Sequence, residues 1–209
     1  MNYWEKIYKK NKHISIWPWS DLVSNFENFS KTNKNTKVFE IGCGAGANIG
    51  YFLKKKIKYF GCDISSLAIK RINSKYKLYK KIFYKNYLDL DFKKNSFNYI
   101  IDRASVTHNS PDDIKKILEN AYSQLKKNGI YFGIDWYSTS CTDYKKFNKK
   151  FKSFSQGTFS DIGNVYFSSL ADIKFFFKKF KILKLEKKIY ICSKTNNHLA
   201  SWIIVAKKQ

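Results

Sequence analysis

Residues 37–51 read KVFEIGCGAGANIGY, an apolar run that ends on an acid and an isoleucine and then opens into closely spaced glycines. KVFEI predicts a buried strand, and ANIGYFLKK after the glycines predicts a helix. Further on, IKYFGC predicts a second strand and SLAIKRINSKY a second helix, capped by Ser65 or Ser66. Strand, glycine turn, helix and strand make a βαβ unit. Sheets built from such units take their ligands at the carboxyl ends of the strands.

Glycines at 42, 44 and 46 let the backbone come close to a ligand, because side chains would block the approach. Gly42, Gly44 and Ala47 also satisfy the dinucleotide pattern GxGxxG/A, so the glycines alone do not name the ligand. The acids separate the possibilities. Glu40 presents a negative charge beside the loop, which suits an ammonium group better than a pyrophosphate. Asp63 closes the second strand, where a carboxylate can take both hydroxyls of a ribose. A nucleoside joined to an amino acid is S-adenosylmethionine.

On these residues the chain resembles the class I S-adenosylmethionine-dependent methyltransferases. FEIGCGAG is similar to the family's first motif, and Asp63 in GCDIS to its ribose acid. The resemblance implies a cofactor site of Glu40, Gly42, Cys43, Gly44, Gly46, Asp63 and Ile64. Asn86 and Tyr87, in the stretch before LDLDFKKNSFNYII, are implied at the adenine, where the family often has an Asp at the position of Asn86. It also implies the fold: an α/β, Rossmann-like three-layer sandwich whose seven-stranded sheet is mostly parallel, with an antiparallel C-terminal strand.

The pattern of the remaining chain agrees. KKIFYK, FNYII and IYFGID predict strands three to five. SPDDIKKILENAYSQLKKNG predicts a long helix with Ser110 as cap, Pro111 in its first turn, a buried face from Ile114 to Leu125, and Gly129 ending it. SLADIKFFFKKF predicts the last helix, and FKILKLEKKIYIC with SWIIVAKK a closing strand pair. The expected organisation is one domain over residues 1–209, with an N-terminal helical cap over 1–35, where Ser20 would cap a helix, and a loop-rich, substrate-side insertion over 136–167.

Of the 209 residues, 44% are hydrophobic, and no stretch approaches a membrane span, which fits a globular chain. MNYWEKIYKK lacks the pattern of a secretory signal, so a cytoplasmic location is expected. Cys43, Cys62, Cys141 and Cys192 show no CxxC spacing, which points to reduced thiols and no metal site. Lys and Arg number 40 against 16 Asp and Glu, a formal +24 that attracts anionic partners. A lysine-rich, AT-type coding bias accounts for that excess as readily as function does. Only Arg71 and Arg103 escape it: Arg71 reads as a solvated helix position, whereas Arg103 follows strand four, inside the expected crevice.

The acceptor is read from IIDRASVTHNSP, which replaces the Asp/Asn-Pro-Pro-aromatic motif of base amino-methylating enzymes. Together with IWPWSDL and GTFSDIGNVYF, this stretch looks similar to small-molecule methyltransferases of bacterial capsule and surface-polysaccharide pathways. The reading is O-methylation of a small, anionic acceptor. His108 and Asp102 are the candidate catalytic residues, and Arg103, Asp135, Trp136 and Trp19 the candidate acceptor contacts, with Trp4 and Trp17 as further roof residues. Two rivals remain: an RNA methyltransferase that uses the basic surface, and a non-catalytic cofactor-binding partner.

Overall fold

The computed structural model describes residues 3–160 and 162–209; Met1, Asn2 and Asp161 lie outside the described residues. Two helices come first, α1 (Tyr3–Lys9) and α2 (Ser20–Phe29). Then follow β1 (Lys37–Ile41), α3 (Ile49–Lys54), β2 (Lys58–Asp63), α4 (Ser66–Tyr76), β3 (Ile82–Tyr84), β4 (Phe97–Arg103), α5 (Pro111–Gln124) and β5 (Leu125–Tyr137). A short unit of α6 (Thr142–Phe147), β6 (Phe151–Ser153) and β7 (Asn164–Tyr166) leads to α7 (Leu170–Phe176), β8 (Phe180–Ile191) and β9 (His198–Lys208).

The main sheet runs β3-β2-β1-β4-β5-β9-β8. The pairs among β1 to β5 are parallel, while β9 lies antiparallel to both β5 and β8, so a single strand runs against the rest. This is the expected seven-stranded, Rossmann-like sandwich. The order turns back between β1 and β4, and the loops after these two strands diverge to leave a crevice.

Strand alternation divides the core into two layers. Val38, Tyr99, Ile101 and Phe132 pack toward α2, α3 and α4 with Phe26, Phe52 and Ile72. Phe39, Ile100 and Tyr131 pack on the opposite face against Ile114, Ile117 and Leu118 of α5 and Phe177. Glu40 therefore shares a face with Tyr59 of β2, whereas Asp102 shares one with Tyr131 and Trp136.

Several local expectations are corrected. Helix α5 is capped by Ser110, whose Oγ accepts from the Asp113 N–H, but it stops at Gln124 instead of Gly129. Leu125 is buried and turns extended to pair with Phe97, so Gly129 lies within β5. Trp19, not Ser20, occupies the N-cap of α2, without a side-chain capping bond. The segment after Trp136 is no bare loop: α6, β6 and β7 surround a small core of Cys141, Phe154, Phe159, Val165 and Phe167. Among the described residues, no helix is long and apolar enough to cross a membrane.

Candidate active site

The crevice at the ends of β1, β2 and β4 is a cavity of about 950 Å³. Its floor is the glycine loop, where Gly42, Gly44 and Gly46 all have left-handed φ, at +66°, +54° and +85°. A Cβ on Gly42 would lie 2.1 Å from Ser105 Oγ, and one on Gly44 2.7 Å from the Tyr8 hydroxyl. Both positions need glycine because of the backbone turn and because the protein itself occupies the space above it. Ser105 and the Tyr8 hydroxyl, and not a ligand alone, take the space that a side chain at these positions would need.

Two carboxylates fix the loop. Asp63 accepts the Gly44 N–H on Oδ2 at 2.9 Å and the Ser65 N–H on Oδ1 at 2.8 Å. Burial pushes its pKa up to about 6, against the pull of these backbone donors. Glu40 is buried, with Oε1 accepting from Asn48 Nδ2 at 2.7 Å and Oε2 accepting from the Tyr59 hydroxyl. Its pKa rises to about 7, again because of burial.

The adenine end is quieter. Asn86 caps a short 3-10 turn through Oδ1 and the Leu88 N–H, and the Tyr87 hydroxyl donates to Gln124 Oε1 at 2.8 Å. Both residues, with Cys43 and Ile64, line the cavity.

Helix α1 roofs this end, and nothing in the sequence pattern marks the residues that fasten it. Glu5 accepts from the Ser65 and Ser66 hydroxyls at 2.5 and 2.7 Å, at the N-terminus of α4. Arg71 donates to the Tyr8 carbonyl at 3.2 Å and to Asn11 Oδ1 at 2.6 Å. Arg71 is thus a clamp on the N-terminal segment, which corrects its reading as a merely solvated position. Asn48 ties the next part of that segment down, accepting the Trp19 N–H on Oδ1 while its Nδ2 donates to Glu40.

The acceptor end gathers residues from across the chain. The Arg103 guanidinium carbon lies 3.5 Å over the Trp19 ring, and its Nη2 pairs with Asp135 Oδ2 at 2.7 Å. Lys188 bridges Asp135 at 3.0 Å and Asp21 at 2.6 Å, and the Ser201 hydroxyl also donates to Asp135. Arg103 Nε is buried without a hydrogen-bond partner. His108 stands at the opposite wall, with Nδ1 2.9 Å from the Asn164 carbonyl and its ring edge-on to Trp4. A carbonyl only accepts, so Nδ1 carries the hydrogen and Nε2 keeps a lone pair. Desolvation lowers the His108 pKa to about 4, so the ring is neutral at pH 7.

Three expected site residues, Asp102, Trp136 and Gly46, are absent from the cavity wall, and the expected roof residue Trp17 stands outside it in water. Gly46 instead packs against Ile49 and Ile72. Asp102 is fully buried beneath the cavity wall, accepting the Ser105 and Val106 N–H groups at 2.9 Å and Trp136 Nε1 at 2.5 Å. Trp136 is likewise fully buried. A bulge in β5 at Asp135, with φ at +56°, turns Trp136 onto the face of Tyr131 and leaves Asp135 at the cavity. Asp102 shapes the loop that carries Ser105 and His108, and Trp136 anchors Asp102.

Residues 38–129 match the model of the methyltransferase domain. This is a methyltransferase fold. A phosphoethanolamine N-methyltransferase of Plasmodium falciparum is 27% identical over 125 residues, 58% of this chain and 46% of that protein. A tRNA N(3)-methylcytidine methyltransferase of Drosophila melanogaster is 27% identical over 110 residues, 47% of this chain and 34% of that protein. The chain thus spans less than half the length of these curated relatives. A solved S-adenosylmethionine-dependent methyltransferase of Methanosarcina mazei superposes with a TM-score of 0.72 at 17% identity, covering 91% of this chain and 98% of its own. A Haemonchus contortus phosphoethanolamine N-methyltransferase with phosphomonomethylethanolamine and S-adenosylhomocysteine superposes at 0.65 and 17% identity, over 99% of this chain and 56% of its own.

The donor set at the crevice of this fold fits S-adenosylmethionine. One carboxylate stands at each end of the glycine loop, the Asp63 oxygens keep lone pairs beyond their backbone bonds, and the cavity is large enough for a cofactor beside a small acceptor. Glu40 would serve the ammonium group, Asp63 the ribose, and Asn86 with Tyr87 the adenine.

Proposed function

We propose that the protein transfers a methyl group from S-adenosylmethionine to the hydroxyl of a small, anionic acceptor. The observation that carries this reading is His108: a neutral imidazole with its Nε2 lone pair uncommitted, in the same cavity as Glu40 and Asp63. When bound, the cofactor supplies a methyl group already activated on a sulfonium. The residues then have to align a nucleophile, exclude water and receive its proton. His108 Nε2 receives the proton, while Nδ1 stays held by Asn164 so that the ring cannot turn away. Trp4 and α1 close the cavity from above.

Arg103 and Lys188 favour an acceptor with a phosphate or carboxylate. Arg103 keeps Nε without a partner, and the Plasmodium relative is named for a phosphorylated acceptor. A sugar precursor of a surface polysaccharide is the acceptor suggested by the sequence resemblance. The second reading, RNA methylation, draws on the +24 charge and the Drosophila relative.

One experiment separates them. Purified protein with labelled cofactor is offered phosphorylated amines, nucleotide sugars and unmodified tRNA, at low and high salt. Turnover on a small anionic acceptor supports the proposal. Transfer to tRNA alone, falling steeply with salt, replaces it with the RNA reading.

A further inference from the structure

Two segments flank the open side of the cavity, and both leave large apolar side chains in water. In the segment between α1 and α2, Ile14, Ile16 and Trp17 are 40%, 60% and 75% exposed. At the end of the β8–β9 hairpin, Ile189, Tyr190 and Ile191 are 48%, 58% and 60% exposed. Ser15 and Trp19 from the first segment and Tyr190 from the second line the cavity, so the two border one opening. The Lys188–Asp21 ion pair ties the hairpin to the start of α2.

Within the two segments themselves the charged residues have one sign, although Lys188 is neutralised by Asp21 and Asp135. Residues 6–17 contain no acid and include Lys9, Lys10 and Lys12; residues 187–199 contain no acid and include Lys187 and Lys194 beside the ion-paired Lys188. Coding bias accounts for lysines anywhere on the surface. The position of the six exposed apolar side chains, gathered on two segments at one opening, is what marks a contact surface.

We propose that this rim is an interfacial docking surface for an anionic lipid bilayer, with the cavity opening facing the headgroups. Four of the six side chains are aliphatic, which suits the acyl boundary; nucleic acid would be met by stacking aromatics and arginines, and the chain has only two arginines, both engaged in holding the N-terminal segment. Strand alternation puts Ile189 and Ile191 on one face of the hairpin and Tyr190 on the other. An end that is apolar on both faces suits edgewise insertion into a soft interface. The lysines supply attraction to anionic headgroups, and Trp17 and Tyr190 are residue types that settle at the headgroup level.

The test uses the whole protein and vesicles, and its readout does not depend on methyl transfer. Co-sedimentation is measured with phosphatidylglycerol-containing and pure phosphatidylcholine vesicles at low and physiological salt. The expected result is binding to the anionic vesicles alone, with a blue shift of tryptophan emission. Ile16→Ser/Trp17→Ser and Ile189→Ser/Ile191→Ser should each weaken binding tenfold or more while calorimetric cofactor binding is kept. Absence of vesicle binding overturns the proposal. So does binding that both serine variants retain, which would be lysine attraction alone, or salt-sensitive RNA binding that the serine variants abolish while vesicles are ignored. Loss of methyl transfer with vesicle binding intact would count against the proposed function and leave the docking surface standing.

Discussion

The two ends of the cavity are built in opposite ways. At the cofactor end, Glu40, the glycine loop and Asp63 lie within one βαβ unit, and backbone N–H groups do much of the holding. At the acceptor end, Trp19, Asp21, Arg103, Asp135, Lys188 and Ser201 come from separate segments and hold one another through side-chain ion pairs. The first is a local motif carried by any strand–loop–helix of that pattern. The second exists only when β4, β5, β8, β9 and the N-terminal segment are assembled. The glycine-loop end therefore depends on a local turn, and the Arg103 end on long-range assembly.

The largest effect should come from breaking the cofactor end. Gly42→Val forces a branched side chain into a left-handed φ and onto Ser105, so cofactor binding by calorimetry should be lost and the melting temperature should fall. Retained affinity would show that the loop is not the cofactor cradle.

Next in size is His108→Ala, which should lower kcat by roughly 10² to 10⁴ and leave cofactor affinity nearly unchanged. Full turnover by this variant would reduce the histidine to a prop for the loop beneath Asn164. A smaller change is expected from Arg103→Lys, which keeps the charge but loses the planar stack on Trp19 and the geometry of the Asp135 pair. It should raise the KM of an anionic acceptor by about tenfold, the scale of one charge-assisted hydrogen bond. Cofactor affinity should not follow; if an uncharged acceptor suffers the same loss, Arg103 shapes the site without gripping an anion.

The smallest effect sharpens the comparison from the cofactor side. Glu40 has a folded-state pKa of about 7, above its ordinary 4.5, so its favourable contribution to stability is present below about pH 4.5 and is lost as pH rises through about 7. Glu40→Gln removes that loss. Without ligand, the variant should gain stability relative to the parent as pH goes from 5 to 8, by on the order of 1–3 kcal/mol and seen as a relative rise in melting temperature, yet bind cofactor more weakly. A pH-independent difference between the two proteins would mean that the carboxyl does not titrate in this range.

Legibility followed the same division. Glu40 and Asp63 were readable because a strand end and a glycine turn fix where each side chain goes, whatever the rest of the chain does. Asp102 and Trp136 sit beside Arg103 and Asp135 in sequence, and neighbours in a strand face opposite ways; a one-residue bulge then decides which of a pair reaches the cavity. Tyr8, Asn48 and Lys188 had no sequence signal at all, since each matters through a contact with a distant segment.

By itself, the sequence determined the alternation of strands and helices, the glycine loop with its two acids, and the caps of α4 and α5. These rest on backbone geometry and on side chains meeting neighbours a few positions away. The tertiary structure alone decided that Arg71 clamps α1, that Asp102 lies beneath the site, and that Arg103 and Lys188 share Asp135. A contact between residues far apart in the chain is set by how the sheet closes and where its strands bulge, and no short-range pattern records either.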